Sequence, residues 1–581
     1  MTFTTCPLDC FDGCSIEVDE KLNLKGEKSH PITQGYLCHH LNNYHKFPRI
    51  QNARLHGIDI SLDEAMAILS EKLKTTEPKN TLFFKGSGNL GIMQSVTKLF
   101  FSTYGATVAK GSLCEDAGAY GIEEGRGANL VLSPEHVAKS EVVILWGRNP
   151  SVTNSHMLPA LKGKTIIVID PYKTDFAKKA ALHVQIKPRS DIYLALLLAR
   201  VAYMEQMEDE EFIEERCENF DFYIDFVNGI PMRTLMNRAG VSLNDIGEIL
   251  SLLEGKKVSI LVGLGVQKYK FGHSVLRSID SFAALLGQFG REGCGVGFIA
   301  DSAYGFESPF KVKLKTVPLP TVDFGKFDLV FIQGGNPVNQ MPCTPKVKEG
   351  LEKAKFVVYF GLHENETSKM ADLILPAKSF LEKEDLKLSY GHEYIGDMPR
   401  ITECDFGISE YELTAKLNQE FDFAPLKSEK EYIDSVKNSN SMQRDGRLIS
   451  KTYEEISYAK EFYTDSGKFE FMDEFYDEFK QEDLEEGFYL LSAKHNKSLN
   501  SQFSTEEFLH VPTCLNLKDN QKVKLSNGKY ECEYVVKVDE NLRDDCLLLY
   551  SGGKNANMLT PYAKSDEGEC AVFQEVKVKF I

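Results

Sequence analysis

The sequence predicts a multidomain α/β protein that closes on a small β-barrel. Three observations carry that expectation. From about residue 55, apolar runs too short for helices alternate with helical segments. Two of these runs end in nearly the same turn, Gly147-Arg148-Asn149-Pro150 and Gly334-Gly335-Asn336-Pro337. The final stretch, from Phe488, changes to strand-like runs broken by Asn-Gly and Gly-Gly turns.

The chain opens on four cysteines, Cys6, Cys10, Cys14 and Cys38, spaced C-x3-C-x3-C-x23-C. Four thiolates are the ligand set of a [4Fe–4S] cluster, and this spacing supplies them. Zinc is the alternative, although structural zinc sites usually pair their ligands as C-x2-4-C. A disulfide framework does not suit a chain of 581 residues.

Five apolar runs read as buried parallel strands: Val142–Trp146, Thr165–Ile169, Val258–Val262, Leu329–Ile332 and Phe356–Phe360. Each is rich in β-branched or aromatic residues and leads into Gly, Asp or Gln-Gly, so ligand loops are expected at the carboxyl ends. The two Gly-x-Asn-Pro turns sit in matched contexts. Each is followed by a further strand, ending at Asp170 or Gly361. An Ala-rooted segment closing on Pro then follows, Ala181–Pro188 or Ala371–Pro376. This is a diverged duplication of two doubly wound α/β units. Glycine admits a close phosphate and Asn can bond it, so the implied ligand is a nucleotide or a pair of them.

Residues 401–487 are acidic and aromatic, and the run 474–486 reads as a solvated helix face. Beyond it, the runs at 488–491, 523–525, 534–538, 546–550 and 576–578 are expected as antiparallel strands of the barrel.

Composition narrows the function. A hydrophobic content of 42% and charged content of 26% suit a folded, water-exposed protein. A net charge of −18 without any basic stripe disfavours nucleic acid. No apolar run approaches the roughly 20 residues that span a bilayer. The start carries neither twin arginine nor apolar leader, so a cytoplasmic protein without a direct membrane span is expected. Its thirteen cysteines are then ligands, catalytic thiols or buried apolar residues.

Together these motifs resemble the molybdopterin oxidoreductases of the dimethyl sulfoxide reductase family that carry an N-terminal [4Fe–4S] domain. That group includes thiosulfate or polysulfide reductases and formate dehydrogenases. The likeness covers most of the chain and is weakest at 401–487. It implies five parts: a [4Fe–4S]-binding domain at 1–55; an α/β dinucleotide domain at 56–110 plus 327–400; a second at 111–326; an acidic connecting segment at 401–487; and a dinucleotide-binding β-barrel at 488–581. It also implies a bis(molybdopterin guanine dinucleotide) cofactor holding Mo or W.

On the same resemblance Cys114, within Gly111-Ser112-Leu113-Cys114-Glu115-Asp116-Ala117-Gly118, is the protein ligand of the metal. A soft thiolate suits such a centre. A buried core cysteine is the bland alternative. Gly147, Asn149, Asp170, Thr174 and Asp191 look like one guanine-dinucleotide site, and Gly334, Gly335, Asn336 and Asp372, with Leu381-Glu382, like the other. A carboxylate suits guanine because it accepts two parallel N–H donors, although each acid could instead be a helix cap or turn residue. Asn500, Ser501 and Asn557 of the expected barrel resemble pterin contacts.

Two departures matter. Many cluster-bearing relatives place a lysine two residues after the fourth cysteine. Here that place is His40, which supplies positive charge for electron transfer only below its pKa. Formate dehydrogenases place a histidine after the metal ligand. Here Glu115 stands there, which disfavours formate oxidation and offers a proton donor.

The expected activity is reduction of an S- or N-oxide or oxyanion, a small molecule bound at the Mo or W centre. Electrons would pass through the [4Fe–4S] cluster from a redox partner protein or carrier. A non-redox hydratase and a metal-free electron-relay subunit are the alternatives.

Overall fold

The computed structural model describes residues 2–581 except 43, 45, 46, 88–90, 300–303 and 474–483. Most of the acidic run expected as a helix face at 474–486 therefore lies outside the described residues. The chain forms two units. One comprises Met1–Lys110, Gly305–Thr452 and Lys497–Ser504; the other comprises Gly111–Tyr304, Tyr453–Asn496 and Thr505–Ile581.

The first unit is built on an eight-stranded sheet. Its strand order is Lys315–Pro318, Thr107–Lys110, Thr81–Lys85, Leu329–Gln333, Phe356–Gly361, Leu373–Pro376, Ala53–Leu55 and Ile58–Ile60. The first six run parallel, and the closing hairpin is antiparallel. Leu329–Gln333 and Phe356–Gly361 are buried at every residue, as a sheet covered on both faces requires. The helix Leu62–Thr75 begins at a capping box, where Ser61 and Glu64 satisfy each other's backbone amides. Its apolar face joins Phe83, Phe101, Phe331 and Val358 in one core. Ahead of this sheet, Thr2–Thr5, Ser15–Val18 and Leu24–Gly26 form an antiparallel sheet of three. Its apolar cluster includes Cys6 and Cys14.

The second unit contains a five-stranded, all-parallel sheet. Its order is Leu182–Val184, Thr165–Ile169, Val142–Trp146, Val258–Val262 and Gly295–Gly297. The helices Asp116–Arg126 and Gly272–Leu285 pack at very short range. A β-carbon on Gly121 would stand 2.1 Å from the His273 carbonyl oxygen. A buried ion pair locks the contact: Arg126 Nε donates to Asp280 Oδ2 at 2.8 Å, and both side chains are fully buried.

The expected barrel is present with six strands: Phe488–Ala493, Cys546–Tyr550, Phe508–Val511, Glu531–Val538, Lys522–Ser526 and Lys577–Phe580. It is not wholly antiparallel. Phe488–Ala493 pairs in parallel with Cys546–Tyr550, and Phe508–Val511 with Glu531–Val538. Turn residues report only local connections, such as Asn527-Gly528 between Lys522–Ser526 and Glu531–Val538. Parallel neighbours come from remote stretches and leave no turn signal. Asn500 and Ser501 are a second correction. They sit between the short strands Ser498–Leu499 and Gln502–Phe503, in the first unit rather than on the barrel.

Removing one half of a buried ion pair strands the other charge, at a cost of about 3–5 kcal/mol. Arg126→Met is therefore expected to lower the urea unfolding midpoint of the purified protein strongly. The double variant Arg126→Met/Asp280→Leu should recover much of that loss, because it leaves no buried charge behind.

Candidate functional site

The two glycine turns are built alike. In the five-stranded sheet Gly147 follows the buried Trp146 with φ +59°, and its amide donates to the Ile169 carbonyl at 2.7 Å. The amide of Gly263, at the end of the neighbouring strand, donates to the Trp146 carbonyl at 2.8 Å. In the eight-stranded sheet Gly334 has φ +57°, and its amide donates to the Phe360 carbonyl at 2.8 Å. There Gly86 donates to the Gln333 carbonyl at 2.8 Å. Each ladder thus carries on past the strand ends through glycines. Pro150 and Pro337 then open the short helices Pro150–Thr153 and Pro337–Gln340, with proline where its missing amide costs nothing. This is the carboxyl edge where parallel sheets take nucleotides.

Around the first turn, the structure gathers two predicted side chains, Asp170 and Asp191. Asp170 follows Thr165–Ile169, and Asp191 opens the helix Asp191–Met204. Burial pushes the Asp170 carboxyl up to about 7 and that of Asp191 to about 6. Asp170 Oδ1 accepts from the Tyr172 amide at 2.8 Å, and Asp191 Oδ1 from Trp146 Nε1 at 2.8 Å. The buried Thr174 hydroxyl accepts from the Ala177 amide at 3.1 Å. Two buried carboxylates of raised pKa favour a ligand that brings N–H donors, and guanine does. Asn149 accepts from the Ser151 hydroxyl at 2.5 Å.

Around the second turn the outcome is mixed. Asn336 Nδ2 donates to Ser501 Oγ at 3.0 Å, and its Oδ1 accepts from Thr367 Oγ1 at 2.8 Å. Gly335 lies against Gly86, to whose Cα its β-carbon would stand at 3.3 Å. Asp372 does not join this group. It precedes Leu373–Pro376, so it lies at the amino end of that strand, and its Oδ2 accepts from the Val357 amide at 2.7 Å. The motif Ala371–Pro376 ran into the strand from that end, so its acid faces the wrong edge. Glu382 holds Arg49 with both oxygens, at 2.6 and 2.8 Å. Asn500 Nδ2 donates to Asp9 Oδ2 at 3.1 Å. Asn557 is buried in the turn after Cys546–Tyr550, where its carbonyl accepts from Thr560 Oγ1 at 3.1 Å.

Cys114 is half-buried in the turn that feeds the helix Asp116–Arg126. Ser112 Oγ shapes that turn: it accepts from the amides of Cys114 at 2.7 Å and Glu115 at 3.2 Å, and donates to Glu115 Oε2 at 3.1 Å. Three residues that the motif reading missed surround it. Gln267 Nε2 donates to the Cys114 carbonyl, and its Oε1 accepts from the Gly118 amide at 2.9 Å. Lys268 Nζ donates to the carbonyls of Leu113 and Cys114, the latter at 2.5 Å. The buried Cys570 thiol lies 3.5 Å from the Cys114 carbonyl oxygen and 3.5 Å from Lys268 Nζ. Gln267 and Lys268 had a legible signal, since they follow Gly263 at a strand's carboxyl end. Cys570 had none, because its approach is set by pairing with Ser112.

The opening cysteines also converge. All cysteines are free thiols. The Cys6 amide donates to the Cys14 carbonyl at 2.9 Å, and the Leu8 amide points at Cys6 Sγ at 3.4 Å. Burial pushes the Cys6 thiol up to about 11. Burial first, then the charges of Cys6, Asp12, Cys10 and Cys38, raises Cys14 well above the usual thiol range. Buried thiols that oppose one another's ionisation are a donor set suited to a multivalent cation or cluster. His40 departs from the charged state expected of it. It is buried, and its ring stacks on Phe503 at 4.6 Å. Burial, then the charge of His39, pushes it down to about 4, so the imidazole is neutral at physiological pH.

A sheet edge of this kind, made twice over, is where a doubly wound α/β protein takes its ligands. The chain is an enzyme of that architecture. A family model narrows it further: residues 54–399 match the molybdopterin oxidoreductase model, and the chain belongs to that family. The family implies a pterin cofactor holding molybdenum or tungsten.

The chain is 29% identical over 431 residues to the probable oxidoreductase YyaE of Bacillus subtilis (strain 168), covering 68% of this chain but only 64% of YyaE. It is 26% identical over 667 aligned positions to the probable oxidoreductase YoaE of the same strain, covering 99% of this chain and 98% of YoaE. The solved structure of acetylene hydratase from Pelobacter acetylenicus shares the fold, with a TM-score of 0.79 at 15% identity and 100% of both chains covered. Among the described residues no helix is long and apolar enough to cross a membrane.

Asp170→Asn tests the buried carboxyl through stability. A carboxyl raised from its unfolded value of 3.8 to about 7 favours folding below pH 4, and that contribution is lost as pH rises through 7. At pH 7.5 the cofactor-free variant should therefore be more stable than wild type by roughly 1–3 kcal/mol. At pH 4 the two should unfold alike.

Proposed function

We propose that the chain is a bis(molybdopterin guanine dinucleotide) oxidoreductase that reduces an S- or N-oxide or an oxyanion. In this reading Cys114 ligates Mo or W. Cys6, Cys10, Cys14 and Cys38 hold a [4Fe–4S] cluster, which exchanges single electrons with a redox partner protein or carrier. The observation that carries the reading is the turn at Cys114. One thiol is held at a helix start by Ser112, and Gln267 and Lys268 grip the carbonyl beside it.

Each residue then has a task. Gly147, Asn149, Asp170, Thr174 and Asp191 bind one guanine dinucleotide. Gly334, Gly335 and Asn336, with Ser501, Asn500 and Asn557 toward the pterins, serve the rest of the cofactor. When bound, the pterin-held metal supplies two-electron atom-transfer chemistry. Lys268 puts positive charge beside Cys114, which favours an anionic or oxygen-bearing substrate. Glu115 can hold a proton at a carboxylate oxygen and deliver it to a departing oxide. The free thiols support a reducing, cytoplasmic setting.

A non-redox hydratase is the second reading. It is favoured by one observation, the full-length fold likeness to acetylene hydratase. Anaerobic purification followed by assay of Mo, W, Fe and released guanosine monophosphate tests both. Iron with neither Mo nor W and no nucleotide would defeat them together. Metal and nucleotide without turnover from reduced viologen to any S-oxide, N-oxide or oxyanion would favour the hydratase. Cys114→Ala is expected to lower turnover at least about 100-fold while released nucleotide stays near the wild-type amount.

A further inference from the structure

One buried cation in the cysteine-bearing unit has no role in the reading above. Lys387 ends the strand Asp385–Lys387, which pairs antiparallel with Gly396–Met398. Its side chain is 2% exposed. Nζ donates to the carbonyl of Leu8 at 2.5 Å, and Leu8 lies between Cys6 and Cys10. The ammonium thus lies against the backbone between these two cysteines. Among the described residues it forms no ion pair with a carboxylate.

The segment that carries Lys387 grips the cysteine loop at two more points. Ser389 Oγ donates to the Phe11 carbonyl at 2.7 Å. His392 Nδ1 accepts from the Tyr394 amide at 3.2 Å, which leaves Nε2–H to donate to the Asp12 carbonyl at 2.7 Å. Two of these donors are neutral; Lys387 alone brings charge. A buried ammonium costs several kcal/mol unless negative charge meets it. A hydroxyl or an amide would hold the Leu8 carbonyl without that cost. Four cysteine thiolates around an iron–sulfur core supply the missing charge, and their net charge grows by one on reduction.

We propose that Lys387 is the charge-compensating residue of the cysteine site and raises the reduction potential of the cluster held there. The proposal rests on reading the four cysteines as a [4Fe–4S] site. Lys387 is a positioning residue in this account: it acts through the cluster's charge and does not meet substrate.

The test uses the full-length, anaerobically purified protein. Iron and sulfide are assayed, and the cluster is titrated with dithionite under EPR detection, one electron per cluster. Lys387→Met should keep its iron and lower the potential, making reduction about tenfold less favourable, which is 59 mV for one electron. Lys387→Arg should match wild type. A Lys387→Met protein with full iron and an unchanged potential overturns the proposal. Should that variant lose iron, Lys387→Gln, which can still donate to the Leu8 carbonyl, decides. A lowered potential supports the proposal; an unchanged potential, or equal loss of iron, makes Lys387 a structural residue and overturns it. Wild-type protein with zinc or no metal in place of iron would instead defeat the cluster reading, and the proposal with it.

Discussion

The candidate metal ligand depends on how closely two helices of one unit can approach. Cys114 sits at the start of Asp116–Arg126, and that helix must lie almost in contact with Gly272–Leu285. Gly121 permits the approach, since a β-carbon there would collide with the His273 carbonyl. The Arg126–Asp280 pair then fixes the far end of the helix in the core. Gln267 and Lys268 stand just before Gly272–Leu285, so the same packing that seats the helix brings their donors to the carbonyls of Leu113 and Cys114. One steric allowance and one buried ion pair thus position the thiol and everything that grips its turn.

The second organising constraint is the end of a parallel strand. Interior strands exhaust their hydrogen bonds on neighbours and leave free backbone only where they stop. Glycine is used at these stops in both sheets, at Gly147 and Gly263 in one and Gly334 and Gly86 in the other. The acids are not shared so evenly. Asp170 and Asp191 are buried beside the first turn with their carboxyls raised. The acid of the second repeat, Asp372, lies at the opposite edge and caps a strand start. The duplication therefore holds for the backbone and fails for the side chain that would read a base.

The cysteine site shows how burial and charge divide the work. Cys6 and Cys14 belong to an apolar cluster with Leu8, Ile16 and Tyr44. Such surroundings suppress free thiolates, which favours holding them only through a bound cation or cluster. The same burial neutralises His40.

Local pattern alone determined a good part of this protein. The strands at 142–146, 165–169 and 258–262 were legible because buried parallel strands are short, apolar and punctuated. The glycine turns were legible because they repeat. The four cysteines were legible because they lie close together in the sequence. The strands Thr81–Lys85 and Thr107–Lys110 were not singled out, and the parallel pairs of the barrel carry no turn signal. Lys387 and Cys570 left no mark at all. Each acts hundreds of residues from its own place in the chain, on a backbone carbonyl or a thiol, and only three-dimensional packing creates that proximity. Tertiary structure also decided the state of His40, the edge on which Asp372 lies and the placement of Asn500 and Ser501. Charge, accessibility and direction are properties of an environment, and an environment does not exist until the chain has folded.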